Sequence, residues 1–534
     1  MPGGATLPVS TLKDCLFPVV SVAVAFGTAS TIAGGAGADG PARFFVASHG
    51  FQRFPPPCHE IPGRTTFLVI AQQGLQLTDG TFQKGAAVHR FFGLQYFLDS
   101  YLTWPITREH AEEYYSFRKM ILGSDPGPDI RAKFDRLAER GHVSLDIKAV
   151  PEGSVVPVQN VLMTITNTEP DACWQVGFFE SLLLKVWNTT TVASYSQKLY
   201  QLVLEYAHRT SENEDHLPYQ VHNFGYRGVS SEETAALSGA AHLVNFLGSD
   251  TVPAVWMLSN FYDGEHPIGL SVPATEHSVM CSYGREGEFK AFEQMLDIYP
   301  SGVVSIVSDT YNLWNVLTNF CPRLKPRILA REGRVVFRPD SGNPAHILCG
   351  DPNAPDNTPE GKGAIRLLEE QFGSTINSKG YRLLNPKVGL IYGDGFYYER
   401  FHEVLARMER MGYASSNLVV RIGGILLQKH NRDDQGFALK ATYTEVDGVP
   451  QDIQKDPITD AKKKSHKGLM KLVREGPIYT TLDQMSWEEE GRGELQRVFR
   501  NGKPLKRYTL QEIRNRVQEF NDTRPPIRYP ATQP

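Results

Sequence analysis

The chain reads as an α/β protein: an incomplete (β/α) barrel with a flanking mixed α+β domain formed by both chain ends. Three observations predict this. Seven short apolar runs, each followed by a turn rich in Gly, Asp, His or Arg, occupy residues 219–228, 243–250, 269–277, 303–309, 334–342, 388–395 and 418–424. Stretches of helical character separate most of them, as at 232–241, 286–296, 310–319 and 398–411. Short apolar runs alternating with helices describe parallel βα units. Strand-like and helix-like segments without that alternation lie on both sides of this middle region.

Taken in order, residues 1–90 form an atypical amino-terminal segment. Residues 15–28 are apolar, but Lys13 is the only nearby basic side chain and Asp14 abuts the run. That is a poor secretory leader, and an irregular tail fits better than a secretory or organellar signal. Gly35-Ala-Gly37-Ala-Asp-Gly40 spells the letters of a dinucleotide loop. Such a loop must follow a strand and open a helix, whereas Pro41 follows a low-complexity Gly/Ala patch here, so the match is set aside. Residues 91–210 make the first part of the flanking domain. Helices are expected over 92–102 and 106–122, short strands over 143–166 around the turn Pro151-Glu-Gly153, and a helix over 180–205. Residues 211–435 are the barrel-like catalytic domain. Residues 436–534 return to the flanking domain, with a hairpin turn at Asn501-Gly502 and a closing helix over 510–520.

Bulk properties narrow the class. A formal charge of −4 argues against a nucleic-acid binder, which carries a basic face. The six cysteines include no Cys-x-x-Cys pair, which suits reduced thiols in the cytoplasm better than a disulfide frame or a zinc site. No apolar stretch approaches the ~20 residues that span a bilayer, so no membrane partner is expected.

The chemistry gathers where barrel active sites do, at the carboxyl ends of strands. Asp250, Asp309, Asp340 and Asp394 each stand just past an apolar run, and Glu276 past another. Converging carboxylates suit sugar hydroxyls, or Mg²⁺ held through a few oxygens and waters. Gly423-Gly424 ends a run before a helical segment, an arrangement whose backbone N–H groups cradle phosphate. Arg227, Arg338, Arg432, Lys440 and Lys455 supply charge-assisted bonds to phosphates. Phe224 offers a flat face to a planar base. Singly, each has a plainer meaning: an Asp after a strand is usually a turn-former or cap, a Phe core, a Gly-Gly a turn, a histidine structural, a lysine run a solvated face. Their joint placement at successive strand ends favours a site for a phosphorylated sugar, a metal and a planar base. No Walker A or Gly-x-Ser-x-Gly sequence occurs, which disfavours P-loop and serine-hydrolase chemistry.

With these residues in view, the chain resembles the nicotinamide phosphoribosyltransferases, members of the type II phosphoribosyltransferases, from about Phe92 to Phe520. The resemblance rests on Phe224-Gly-Tyr-Arg-Gly-Val-Ser-Ser231, Ala241-His-Leu-Val-Asn-Phe246, Glu276-His-Ser278, Arg338-Pro-Asp-Ser-Gly-Asn-Pro344, Asn377-Ser-Lys-Gly-Tyr381, Gly393-Asp-Gly395 and Leu426-Leu-Gln-Lys429. It implies transfer of phosphoribose from phosphoribosyl pyrophosphate to nicotinamide, with Mg²⁺, in a homodimer whose sites lie at the interface. Carried over, Phe224 stacks on the pyridine ring and Asp250 accepts from the carboxamide. Arg227, Asp309, Arg338 and Asp340 line the ring and phosphoribosyl site, Gly393 and Asp394 meet the ribose, and Gly423 and Gly424 meet its 5′-phosphate. Arg432, Lys440, Lys455 and Lys463 serve phosphate or pyrophosphate. His277 resembles the histidine that family members phosphorylate with ATP. The metal ligands stay unassigned.

Two departures qualify this. The family's opening Asp-Ser-Tyr-Lys motif, whose Tyr covers the second face of the pyridine, has no counterpart in residues 1–90. The family loop Gly-Ser-Gly-Gly-Gly stands here as Arg421-Ile-Gly-Gly-Ile425, which keeps the two central glycines. Two other readings remain open: the same transfer to nicotinate, and a catalytically impaired paralogue acting as a binding protein.

Overall fold

The computed structural model describes residues 65–72, 88–459, 464–476 and 478–523. The chain folds into two compact units. The first takes Val272–Asp394 and Glu403–Val420, and the second takes the described parts of 45–271, 395–402 and 421–534.

The first unit is built on parallel strands. Ser301–Val307 pairs along its whole length with Glu332–Arg338, which pairs with Val388–Tyr392, which pairs in turn with Leu418–Ile422. Val304, Ile306, Val307, Val335, Phe337, Leu390 and Tyr392 are all buried, as expected of parallel strands covered on both faces. Helices Cys321–Ala330 and Pro359–Phe372 make two of the crossovers. The strands end where the polar residues begin, at Asp309, Asp340 and Gly393-Asp394.

Five of the seven apolar runs are strands, the fifth being Val221–Asn223 in the second unit. The runs at 243–250 and 269–277 are not. Helix Glu232–Leu243 consumes the start of the first, leaving too few residues for a ladder. In the second, Pro273 has no N–H to donate. Both contribute only isolated parallel bridges, Asn223↔Ser249, Gly248↔Leu270 and Ala274↔Ser305. The parallel sheet with these bridges is the incomplete barrel expected. His277, expected on a loop after a strand, is instead the first residue of helix His277–Ile298.

In the second unit a seven-stranded sheet runs Val449–Asp452, Phe437–Val446, Thr65–Gln72, Val161–Asn167, Leu145–Ala149, Gln496–Arg500, Lys503–Pro504. All its ladders are antiparallel, and its three strands from the first part of the chain lie together between two pairs from the last part. The Asn501-Gly502 hairpin forms with φ of 49° and 76°, the two positive values that a type I′ turn needs. Helix Val186–Thr210 lies buried along much of its length. Helix Leu510–Thr523 docks through Arg514, whose guanidinium donates to the carbonyls of Leu243 and Ile268. The last two residues of strand Leu418–Ile422 belong to this unit, where the Ile422 carbonyl accepts from the Phe224 N–H at 2.9 Å.

Candidate active site

Each unit carries one cluster of the predicted residues. In the first unit, the carboxyl ends of the parallel strands bring His277, Asp309, Arg338, Asp340 and Gly393 together. Asp309, with 6% of its side chain exposed, accepts at Oδ2 from the Asp340 N–H at 2.8 Å and the Ser341 hydroxyl at 2.6 Å. Its Oδ1 is buried and has no hydrogen-bond partner among the described residues. His277 lies with Nε2 3.4 Å from Asp340 Oδ2 and 3.8 Å from Asp309 Oδ1, while Nδ1 is 3.0 Å from the Thr310 hydroxyl. Arg338 is fully buried; its guanidinium donates to the Thr275 carbonyl at 2.6 Å and lies 3.8 Å from Glu276.

Charge is crowded here. Burial pushes the Asp340 carboxyl above its ordinary range; Arg338 opposes this, Asp309 adds to it, His277 opposes it, and Asp394 adds again. The Asp340 carboxylate lies so close to residue 393 that a Cβ there would fall 1.5 Å from Oδ1, so only glycine fits. Asp394 itself is exposed. Glu288, on the helix that His277 opens, is 2% exposed, and its Oε1 has no hydrogen-bond partner among the described residues. Burial pushes its carboxyl up to about 7, Arg285 partly offsetting and Asp309 adding.

The second unit gathers Phe224 and Asp250 with three residues that the sequence reading did not single out. Asp250 Oδ1 meets His222 Nε2 at 2.9 Å and accepts from the Ser271 hydroxyl. Its Oδ2 faces Arg421 at 3.6 Å. The Arg421 guanidinium lies over the Phe224 ring, 3.0 Å from its centroid, and the arginine is 1% exposed. His222 packs edge-on to Phe224 with centroids 5.2 Å apart. Period-two alternation along a strand is the signal that would have found two of them, because it sets His222 beside Phe224 and Arg421 beside Gly423.

The other predicted residues of this unit are more scattered. Arg227 is exposed, and among the described residues its side chain makes no hydrogen bond or ion pair. Gly424 opens the short helix Gly424–Gln428, and a Cβ on it would meet the Gly228 carbonyl oxygen at 2.9 Å. Gly423 faces open space. Lys455 and Arg432 lie close enough to act on Lys440: burial lowers the Lys440 pKa, Lys455 lowers it further, Glu180 partly offsets, and Arg432 adds to the fall. Arg432 also pairs with Asp433 at 2.7 Å, and Lys463 lies outside the described residues. No group of three or more His, Cys, Asp or Glu among the described residues is arranged to hold a metal by itself. No described helix is long and apolar enough to cross a membrane.

The sequence model of the nicotinate phosphoribosyltransferase (NAPRTase) family matches residues 219–503. The nicotinamide phosphoribosyltransferase of Acinetobacter baylyi is 40% identical over 444 residues, covering 80% of this chain and 88% of that protein. The nicotinamide phosphoribosyltransferase of Xanthomonas campestris pv. campestris is 37% identical over 482 residues, covering 88% of this chain and 96% of that protein. The latter share is more than residues 92–534 alone can supply. The likeness therefore reaches back into the first 91 residues, beyond the start at Phe92 expected from the motifs. Among solved structures, nicotinate-nucleotide pyrophosphorylase from Pyrococcus furiosus superposes with a TM-score of 0.51 at 14% identity, covering 86% of this chain and 90% of that one. That likeness is one of fold. The family model over the barrel strands, joined to identities that run across most of the chain, makes this protein a member of the nicotinate phosphoribosyltransferase family.

Proposed function

We propose that this protein is a nicotinamide phosphoribosyltransferase: it joins nicotinamide to phosphoribosyl pyrophosphate, giving nicotinamide mononucleotide and pyrophosphate in NAD salvage. One observation carries the choice of base. Asp250 Oδ2 accepts no hydrogen bond among the described residues, whereas Oδ1 is engaged by His222 and Ser271. With the Arg421 guanidinium 3.6 Å away, too far to hydrogen-bond, Oδ2 keeps a lone pair for a carboxamide NH₂, whereas a substrate carboxylate brings it no donor. In the reaction the pyridine nitrogen lone pair forms the bond to ribose C1′ while the C1′–O bond breaks and its electron pair leaves with pyrophosphate. The transition state is oxocarbenium-like, so catalysis consists of positioning and electrostatic stabilisation.

Phe224 stacks on the ring in this reading, and Arg227 and Arg338 assist in the ring and phosphoribosyl site. Asp309 and Asp340 face the developing positive charge, Gly393 and Asp394 meet the ribose, and Gly423 and Gly424 meet its 5′-phosphate. Arg432, Lys440, Lys455 and Lys463 serve phosphate groups. Mg²⁺ fits the first cluster: Asp309 Oδ1 is a buried carboxylate oxygen with no hydrogen-bond partner among the described residues, beside Asp340. Two carboxylates with substrate oxygens are the donor set Mg²⁺ takes, which is why a three-residue protein cage is not required. When bound, the ion neutralises charge on the pyrophosphate. His277 takes the terminal phosphoryl group of ATP on an imidazole nitrogen as the bond to ADP breaks, and its ring is fixed for this by Thr310. The working form is a homodimer in the cytoplasm. Pyrophosphate release measured with nicotinamide and with nicotinate, with and without ATP and Mg²⁺, tests this reading. Release with neither base overturns it and leaves the impaired paralogue.

A further inference from the structure

Arg421 is a buried cation whose needs the fold leaves unmet. It is 1% exposed, and Nε has no hydrogen-bond partner among the described residues. Its ion pair with Asp250, at 3.6 Å, is longer than a hydrogen bond. Its other close neighbour is the Phe224 ring, which attracts a cation but accepts no conventional hydrogen bond. A guanidinium stays charged and carries five donors in a fixed fork, so burying it with donors idle is costly unless something supplies acceptors. Phe224 and Asp250 are the residues assigned above to the ring and to its exocyclic group. The strand explains how it gets there: Arg421 is the next-to-last residue of Leu418–Ile422, two before Gly423, and Phe224 is fastened to that strand end by its N–H bond to Ile422.

We infer that Arg421 is a specificity-determining residue of the ring site, recognising the exocyclic carbonyl or carboxylate oxygen of a pyridine-3-carbonyl base. This rests on the function proposed above. Asp250 and Arg421 then form a complementary pair. The carboxylate takes the NH₂ of a carboxamide and the guanidinium donates to its C=O. The same guanidinium offsets the repulsion that Asp250 exerts on a pyridine carboxylate, so the site tolerates nicotinate better than a pocket with Asp250 alone. Removing Arg421 therefore costs a neutral base one donor, and costs an anionic base both that donor and the guanidinium charge beside Asp250.

The test is equilibrium binding of nicotinamide and nicotinate to the full chain by calorimetry, with pyrophosphate release followed alongside, for the native protein, Arg421→Met and Arg421→Lys. In Arg421→Met nicotinate should weaken relative to nicotinamide by about tenfold or more, the range of a hydrogen bond to a charged group. Arg421→Lys keeps the charge and should restore most of the ratio, a rescue that a packing role does not produce. If the methionine variant does not fold, Arg421→Gln keeps donors without charge and should show the same fall in affinity for nicotinate relative to nicotinamide. An unchanged ratio of the two affinities in a folded neutral variant overturns the inference. Were the native chain to bind both bases with the expected shift yet release no pyrophosphate, the inference would stand and the proposed activity would fall. Failure of the native chain to bind either base overturns both.

Discussion

The two clusters handle carboxylates in opposite ways. In the second unit Asp250 is compensated: an imidazole, a hydroxyl and a guanidinium surround it, and about a third of its side chain is exposed. In the first, Asp309 and Asp340 have carboxylates for neighbours, with Glu288 and Asp394 adding repulsion and Arg338 and His277 only partly relieving it. A compensated carboxylate is suited to reading a neutral or weakly polar group, since little net charge is left to satisfy. A crowded set with an unpartnered buried oxygen is short of positive charge, and is suited to whatever brings it: a metal ion, or a ribose that becomes cationic as its leaving group departs. The difference lies in what surrounds the acids rather than in their number.

Mutations test this contrast. The largest effect is expected at Asp309. Asp309→Asn keeps the shape and much of the bonding to Asp340 and Ser341 but removes the charge, and should cut pyrophosphate release about 100- to 1000-fold. Retention of near-native, Mg²⁺-dependent rates would show that the crowded cluster is structural. Next, His277→Ala should abolish ATP hydrolysis and the ATP enhancement of product yield, while transfer without ATP falls by less than about tenfold. ATPase activity that survives in the variant removes His277 from that role. On the compensated side, Asp250→Ser should lower use of nicotinamide relative to nicotinate by about tenfold, the worth of one hydrogen bond plus a lifted repulsion. The idea is refuted if the kcat/KM ratio of the two bases stays put.

The smallest effect belongs to Glu288 and appears in stability. Its folded pKa, about 7, lies above the ordinary glutamate value of an unfolded chain. Between those two values the folded state binds more protons than the unfolded one. Stability is therefore fullest below the ordinary value and declines as pH rises to about 7, after which the penalty is constant. Glu288→Gln should gain a few degrees of melting temperature over the native chain at about pH 8 and gain little or nothing at about pH 4. Parallel melting curves at both pH values would mean that Glu288 relaxes into water instead.

How much of this was legible in the chain depends on where a residue sits relative to a strand end. Asp309, Asp340 and Asp394 follow their strands directly, so apolar run and turn together marked them. Gly393 was marked as well, although its reason, the Asp340 carboxylate against its Cα, is a tertiary contact that no local pattern encodes. Arg421 and His222 lie inside strands, where attention to turn residues passes over them; period two would have paired them with Gly423 and Phe224. The run at 243–250 is not a strand because a short apolar stretch carries no period of its own, and the Ala-rich helix from Glu232 takes its first residue, Leu243. The partnership of Asp250 with Ser271 depends on a chain reversal that sequence spacing does not announce.

The seven-stranded sheet bears on how the protein is made. Strand Thr65–Gln72 lies between Val161–Asn167 and Phe437–Val446, and Leu145–Ala149 lies between Val161–Asn167 and Gln496–Arg500. During synthesis the early strands leave the ribosome long before the partners that flank them exist. Ladders that join residues hundreds apart close slowly, and the waiting edges are exposed meanwhile. A chain cut after the barrel would keep those edges bare for good. It should therefore be lost to aggregation or proteolysis even though every barrel strand in it is intact.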